Sequence, residues 1–154
     1  MCPAGPLHTG GPYTLTLKDN NGAATTLTDV LAGEVWLCSG QSNMEFMVQM
    51  STDQPADVMQ GHAAIRLLQV AQLAYPQAQT TFEKPTQWQV ATADSIKRFS
   101  ALCYFFARRK LADEGMPIGV INSSWGGSAI EAWVGEQQLV KLPGNKHQVQ
   151  LLQQ

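Results

Sequence analysis

Charge is scarce in this sequence. Asp, Glu, Lys and Arg make up 14% of the 154 residues, while apolar residues reach 44%. An average protein carries roughly 25% charged residues. A chain this poor in charge and this rich in apolar groups has enough to bury, which excludes a disordered class. Net charge is -2, and no basic block exceeds Arg108-Arg109-Lys110. A nucleic-acid backbone needs a clustered basic face, so that partner class is excluded too. There is no run of about 18 apolar residues, hence no membrane-spanning helix. The start, MCPAGPLHTGGPYT, has no apolar h-region and is not a secretory signal as it stands. Cysteine is also sparse: Cys2, Cys38 and Cys103 are an odd set with no CxxC pair. A disulfide framework and a zinc site are both poorly supported. Cys38 and Cys103 lie in apolar surroundings and are expected to be small core residues. Phosphate-loop patterns are missing as well, since SSWGGS is neither GxGxxG nor GxxxxGK[ST]. No cofactor and no metal are expected.

What is present is a pattern of elements. Tyr13-Thr14-Leu15-Thr16-Leu17 alternates, Asn20-Asn21-Gly22 is a turn signal, and Thr25 to Thr28 returns as a second strand. Glu34-Val35-Trp36-Leu37-Cys38 does not alternate; its continuous apolar run suits a parallel strand covered on both faces. Ile65–Val70 and Pro117–Asn122 are two further strand candidates. Apolar residues at helical spacing, Phe99, Leu102, Cys103, Phe106 and Leu111, predict one helix from Ser95 to Glu114. Asp94 or Ser95 is the expected cap, and Gly115-Met116-Pro117 the stop. Another helix is expected from near Ser128 past Trp133, and residues 71–94 read mostly as loop. Strands alternating with helices define an α/β fold with a parallel sheet. Ligands in such folds sit beyond the carboxyl ends of the strands.

Two polar bursts fall at those ends. Ser39-Gly40-Gln41-Ser42-Asn43 follows one strand and Ser123-Ser124-Trp125-Gly126-Gly127-Ser128 follows another, each ahead of an expected helix. Helix starts leave backbone N–H groups unpaired, and small residues allow close backbone approach. A serine hydroxyl in such a turn becomes a nucleophile when a base accepts its proton. The N–H of Ser42 and one from Gly126-Gly127 can hold an oxyanion, and one such donor is worth roughly a hundredfold to a thousandfold in rate. The plainer alternative is that Ser42 is a helix cap and Gly126-Gly127 a tight turn. GQSNM is not the GxSxG elbow of α/β-hydrolases.

GEVWLCSGQSNMEF at 33–46 resembles the nucleophile block of the sialate O-acetylesterase family, a branch of the SGNH hydrolases. FSALCYFFAR at 99–108 resembles that family's helix, and PIGVINSSWGGSAIEAW at 117–133 its second glycine block. The likeness runs from residue 10 to about 140. It implies a flavodoxin-like three-layer α/β/α (SGNH hydrolase) sandwich, and O-acetylated sugars, notably sialic acids, as substrates. By that likeness Ser42 is the nucleophile, and the Ser42 amide with a glycine amide from Gly126 or Gly127 forms the oxyanion hole. Gln41, Asn43 and Glu131 lie in the same blocks and are candidates for positioning substrate. Family members are commonly exported.

The family's Asp-x-x-His block, which carries the general base, is missing, and so is its Gln-Gly-Glu-like block. His8, His62 and His147 lie in no such setting. Three parallel strands also fall short of the usual four to six. The expectation is therefore an incomplete sandwich: residues 1–30 as the remnant of a β-rich domain, here a hairpin, and 31–154 as the first half of an esterase domain. A chain without the histidine is expected to be nearly inactive alone. The competing function is a non-catalytic glycan-binding or interaction module, with Trp36, Trp125 and Trp133 as aromatic surface, although core packing is the simpler role for most of them. An anion-binding flavodoxin-like domain is a third.

Overall fold

The computed structural model describes residues 8–52, 57–75, 79–142 and 144. Cys2 and His147 lie outside the described residues. Strands β1 (Gly10–Lys18) and β2 (Ala24–Ala32) form an antiparallel hairpin. Its turn is held by the Asp19 carboxylate, which accepts the N–H groups of Asn21 and Ala23 at 2.9 and 2.8 Å. Short Asp side chains favour such turns because they substitute for a backbone carbonyl. Arg66 pairs with Asp29 at 2.8 Å and ties the hairpin to the main sheet.

Among the described residues that sheet has four strands, in the order β3 (Glu34–Gly40), β6 (Ile118–Ser124), β4 (His62–Gln69) and β5 (Gln89–Ala91). The first three are mutually parallel and β5 runs antiparallel to β4. β5 falls in the stretch read from sequence as loop; three residues are too short to leave a periodic signal. Helices α2 (Ala93–Lys97) and α3 (Ala101–Glu114) belong to the core around Ile65, Leu67, Ile118 and Val120, with Ile96, Cys103, Tyr104 and Ala107 buried among them.

The single helix expected over 95–114 is thus two. Thr92 caps α2 in a reciprocal capping box with Ser95, and the Ser100 hydroxyl caps α3 by accepting the Cys103 N–H. The break has a use. Phe99 O accepts from Val48 N at 3.0 Å, and Ala101 N donates to Phe46 O at 2.8 Å. Residues 46–48, which follow the GQSNM segment, are thereby fastened to the start of α3. A continuous helix would have spent those groups internally.

The buried stripe of α3 also differs from the expected one. Small residues, Ala101, Cys103 and Ala107, face the core with Tyr104, which lets the helix sit close to the sheet. Leu102 and Phe106 are exposed. Phe106 instead meets the edge of the Trp36 ring, with centroids 5.1 Å apart, and Lys110 stands over the same indole. Lys110 also bonds Glu114, and that hydrogen bond raises its pKa above the ordinary lysine value.

Two expectations about β3 are corrected. Its apolar run does not mean cover on both faces: β3 is the sheet's edge, and Val35 and Leu37 are 61% and 67% exposed. Trp36 and Cys38 point to the α3 side, whereas Val35 and Leu37 alternate onto the other face and stay exposed. Cys38 and Cys103 are core residues, but they are joined as a disulfide that ties β3 to α3. The two cysteines are 65 positions apart. Closing a loop of that size stabilises the fold by about 4 kcal/mol through the unfolded chain's lost entropy. Reduction, or Cys103→Ala, is therefore predicted to lower unfolding free energy in urea by that order. A non-reducing peptide map should contain a linked Cys38–Cys103 pair; an unchanged urea midpoint after reduction would contradict the link's role.

Candidate active site at the strand ends

The two polar bursts meet. β3 and β6 pair in unbroken register from Glu34↔Ile118 to Gly40↔Ser124. Both strands therefore end level, on one rim of the sheet. The Trp125 N–H then donates to Gly40 O at 2.9 Å and carries the pairing one residue past the strands. Gly40 has φ 149, a conformation other residues rarely adopt, and it turns the chain sharply into α1 (Ser42–Glu45).

Ser42 opens that turn and is exposed. A Cβ placed on Gly126 would stand 3.4 Å from the Ser42 Oγ and 3.5 Å from its Cα. Serine hydroxyl and glycine loop are therefore in near contact. The same imagined Cβ would lie 2.4 Å from Glu45 Oε2, so any side chain at 126 collides with a carboxylate. The Gly126 N–H in fact donates to that carboxylate, at 2.5 Å. Glu45 Oε1 accepts from Gln72 Nε2 at 2.6 Å, and the same amide reaches Ser124 O at 3.1 Å. The Gly127 N–H makes no hydrogen bond among the described residues, nor does that of Ser42.

The remaining candidates separate. Gln41 donates its side-chain amide to the Ser128 carbonyl and so straps the two loops together. Asn43 is exposed and its side chain has no hydrogen-bond partner among the described residues. Glu131 lies in a 3-10 turn, Ile130–Trp133, which Trp133 fastens by donating its indole N–H to Ser128 Oγ at 2.7 Å. That turn and the short α4 (Glu136–Leu139) stand where one longer helix was expected. α1 is likewise a single turn, so little macrodipole is available and individual amides must do any anion binding. The three tryptophans, 36, 125 and 133, are each 37–39% exposed, neither core nor open platform.

Glu45 and Gln72 were not singled out from sequence. Glu45 stands three residues after Ser42, one helical turn on, and that spacing was a usable signal. Gln72 comes from an irregular segment and left none. The strand floor is polar as well: Asn122 bonds Gln69 at 2.9 Å, yet Asn122 Oδ1 and Ser124 Oγ are buried without a partner. A cleft of about 510 Å3 lined by Leu67, Gln89, Arg98 and Phe99 lies on the far side of β4 and does not include Ser42.

No described histidine reaches this rim. His62 begins β4, at the opposite end from Gln69, and His8 is exposed ahead of the hairpin.

Comparison with known proteins settles the lineage. Residues 32–147 match the family described as carbohydrate esterase, sialic acid-specific acetylesterase. The chain belongs to that family. Human sialate O-acetylesterase is 34% identical over 146 residues, covering 87% of this chain and 28% of the human protein. The mouse sialate O-acetylesterase is 30% identical, covering 87% of this chain and 27% of its own length. A crystal structure of a carbohydrate acetylesterase from Xanthomonas citri superposes with a TM-score of 0.79 at 39% identity, over 88% of this chain and 31% of that one. The chain thus spans less than a third of these relatives. The α/β fold of the carbohydrate acetylesterases is shared.

Gly126→Ala is predicted to push the Glu45 carboxylate off the Gly126 N–H, because the new methyl takes its place. The carboxylate is the free end of a flexible side chain, so the expected cost is about 1 kcal/mol in urea unfolding, the worth of the hydrogen bond given up. Gly127→Ala, where nothing stands near the Cβ position, gives the control for backbone effects alone.

Proposed function

We propose that this chain carries the nucleophile side of a carbohydrate O-acetylesterase site. The observation behind it is Ser42 Oγ standing against Gly126 at the level ends of β3 and β6. In the proposed reaction Ser42 Oγ forms a bond to the acetyl carbonyl carbon of an O-acetylated sugar, sialic acids foremost. The carbonyl electron pair moves to oxygen. The N–H groups of Ser42 and Gly127 receive that oxyanion; Gly126 is the poorer donor because Glu45 already holds it. Collapse breaks the bond to the sugar oxygen, which leaves as the alcohol with the proton first taken from Ser42; water then gives its hydroxyl to the acyl carbon and its proton to Ser42 Oγ, releasing acetate. Asn43, whose side chain has no partner among the described residues, is a candidate to bind substrate polar groups, and Glu131 is a second positioning candidate.

The proton of Ser42 needs a base, and among the described residues none is at hand. We assign that role to a histidine from an Asp-x-x-His segment of the kind the family carries. A third layer over Val35 and Leu37 would complete the sandwich, and the hairpin would border a β-rich domain. Exposed Leu17 and Leu27 on that hairpin, together with Val35 and Leu37, are the surfaces these neighbours would cover.

Loss of the serine or histidine of a serine protease costs roughly a millionfold in turnover, while the oxyanion hole and binding leave about a thousandfold or more over water. The 154-residue chain is accordingly predicted to hydrolyse an aryl acetate roughly a millionfold more slowly than a complete enzyme, with no more than that residual acceleration over water. It should nonetheless be labelled slowly at Ser42 by a fluorophosphonate, and Ser42→Ala should abolish the label. Turnover at normal enzyme rates would refute the missing base. An inert Ser42 accompanied by measurable glycan binding would favour the non-catalytic module.

A further inference from the structure

We propose that Glu45 is the positioning residue that sets the glycine loop against the nucleophile. Three loops leave the carboxyl ends of β3, β6 and β4, and the Glu45 carboxylate touches all of them. It belongs to the first, on the turn that bears Ser42. Its Oε2 accepts the Gly126 N–H of the second. Its Oε1 accepts Gln72 Nε2 of the third, and Gln72 in turn holds Ser124 O at the tip of β6. Bonds from N–H donors to a carboxylate are stronger than neutral ones, and two acceptor oxygens let one group fix two loops.

The geometry also says what this clamp does. With Gly126 N–H drawn onto Glu45, the next amide in the chain, Gly127, is the one left without an acceptor. Gly127 has φ 77, so the chain turns immediately after that amide. Glu45 therefore selects which glycine amide is free for an incoming oxygen. A Cβ at position 126 would take the space the carboxylate fills, so glycine there is what lets the clamp close. Glu45 touches no reacting atom in this role and acts through the loop.

The clamp stands on geometry alone; its catalytic consequence rests on Ser42 being the nucleophile proposed above. The test compares the full chain with Glu45→Ala and Glu45→Gln by two readouts. One is hydrogen exchange of the Gly126 amide by NMR, with Val120 and Ile121 of β6 as internal controls. The other is the rate of fluorophosphonate labelling at Ser42. Glu45→Ala is expected to speed Gly126 exchange by about tenfold or more, leave the controls unchanged, and slow labelling by about tenfold or more, the scale of a misplaced oxyanion donor. Glu45→Gln keeps an acceptor oxygen and should recover part of both. Unchanged Gly126 exchange in Glu45→Ala overturns the proposal, and so does faster exchange with unchanged labelling. A parent chain that never labels counts against the esterase proposal instead, and Gly126 exchange then decides the clamp by itself.

Discussion

The site depends on how β3 lies beside β6. Parallel strands in unshifted register must end together, and here both end in small polar residues. A slip of one residue would turn each side chain to the other face of the sheet. It would also move Ser42 away from Gly126. Everything that follows, the Trp125–Gly40 bond, the Gln41 strap and the Glu45 clamp, presumes that register and then reinforces it.

The register is itself held from behind. Ile118 and Val120 of β6 are fully buried against α3, next to Ile65 and Leu67 of β4. Fully burying one such side chain is worth about 1.5–3 kcal/mol. β3 has less of this support, being an edge with two apolar side chains open to solvent. The Cys38–Cys103 disulfide supplies what packing does not, anchoring β3 to α3 at the residue two before Gly40. A second anchor comes from Phe46 and Val48, whose backbone groups bond the start of α3. The Ser42 turn is thus pinned on both sides to the same helix. A nucleophile loop built this way is preorganised by its scaffold, which is where rate comes from when an oxyanion must be met without rearrangement.

Much of this was legible in the sequence. The hairpin announced itself through Asn20-Asn21-Gly22, and the parallel strands through apolar runs that stop abruptly at polar residues. The adjacency of SGQSN and SSWGGS followed from placing both at carboxyl ends. Other features were not legible, each for a physical reason. A disulfide between residues far apart depends on which helix crosses which strand, and sequence spacing does not say. The division of α2 from α3 turned on Ser100 acting as a cap, a role a serine in a helical pattern does not advertise. Exposure of Val35 and Leu37 depends on what covers a face, not on the residues in it. Glu45 was hidden in plain view: its partner is a backbone amide eighty-one positions away.

The most direct test is of the contact on which the rest is built. Ser42 Oγ and Cα stand 3.4 and 3.5 Å from where a Gly126 Cβ would be, so one Gly126 α-proton points at Ser42. A NOESY spectrum of the labelled chain is predicted to show a cross-peak between that Gly126 Hα and the Hα or Hβ protons of Ser42, with matching contacts along the β3–β6 ladder. An intact ladder without that cross-peak, or a ladder shifted by one residue, would contradict the account.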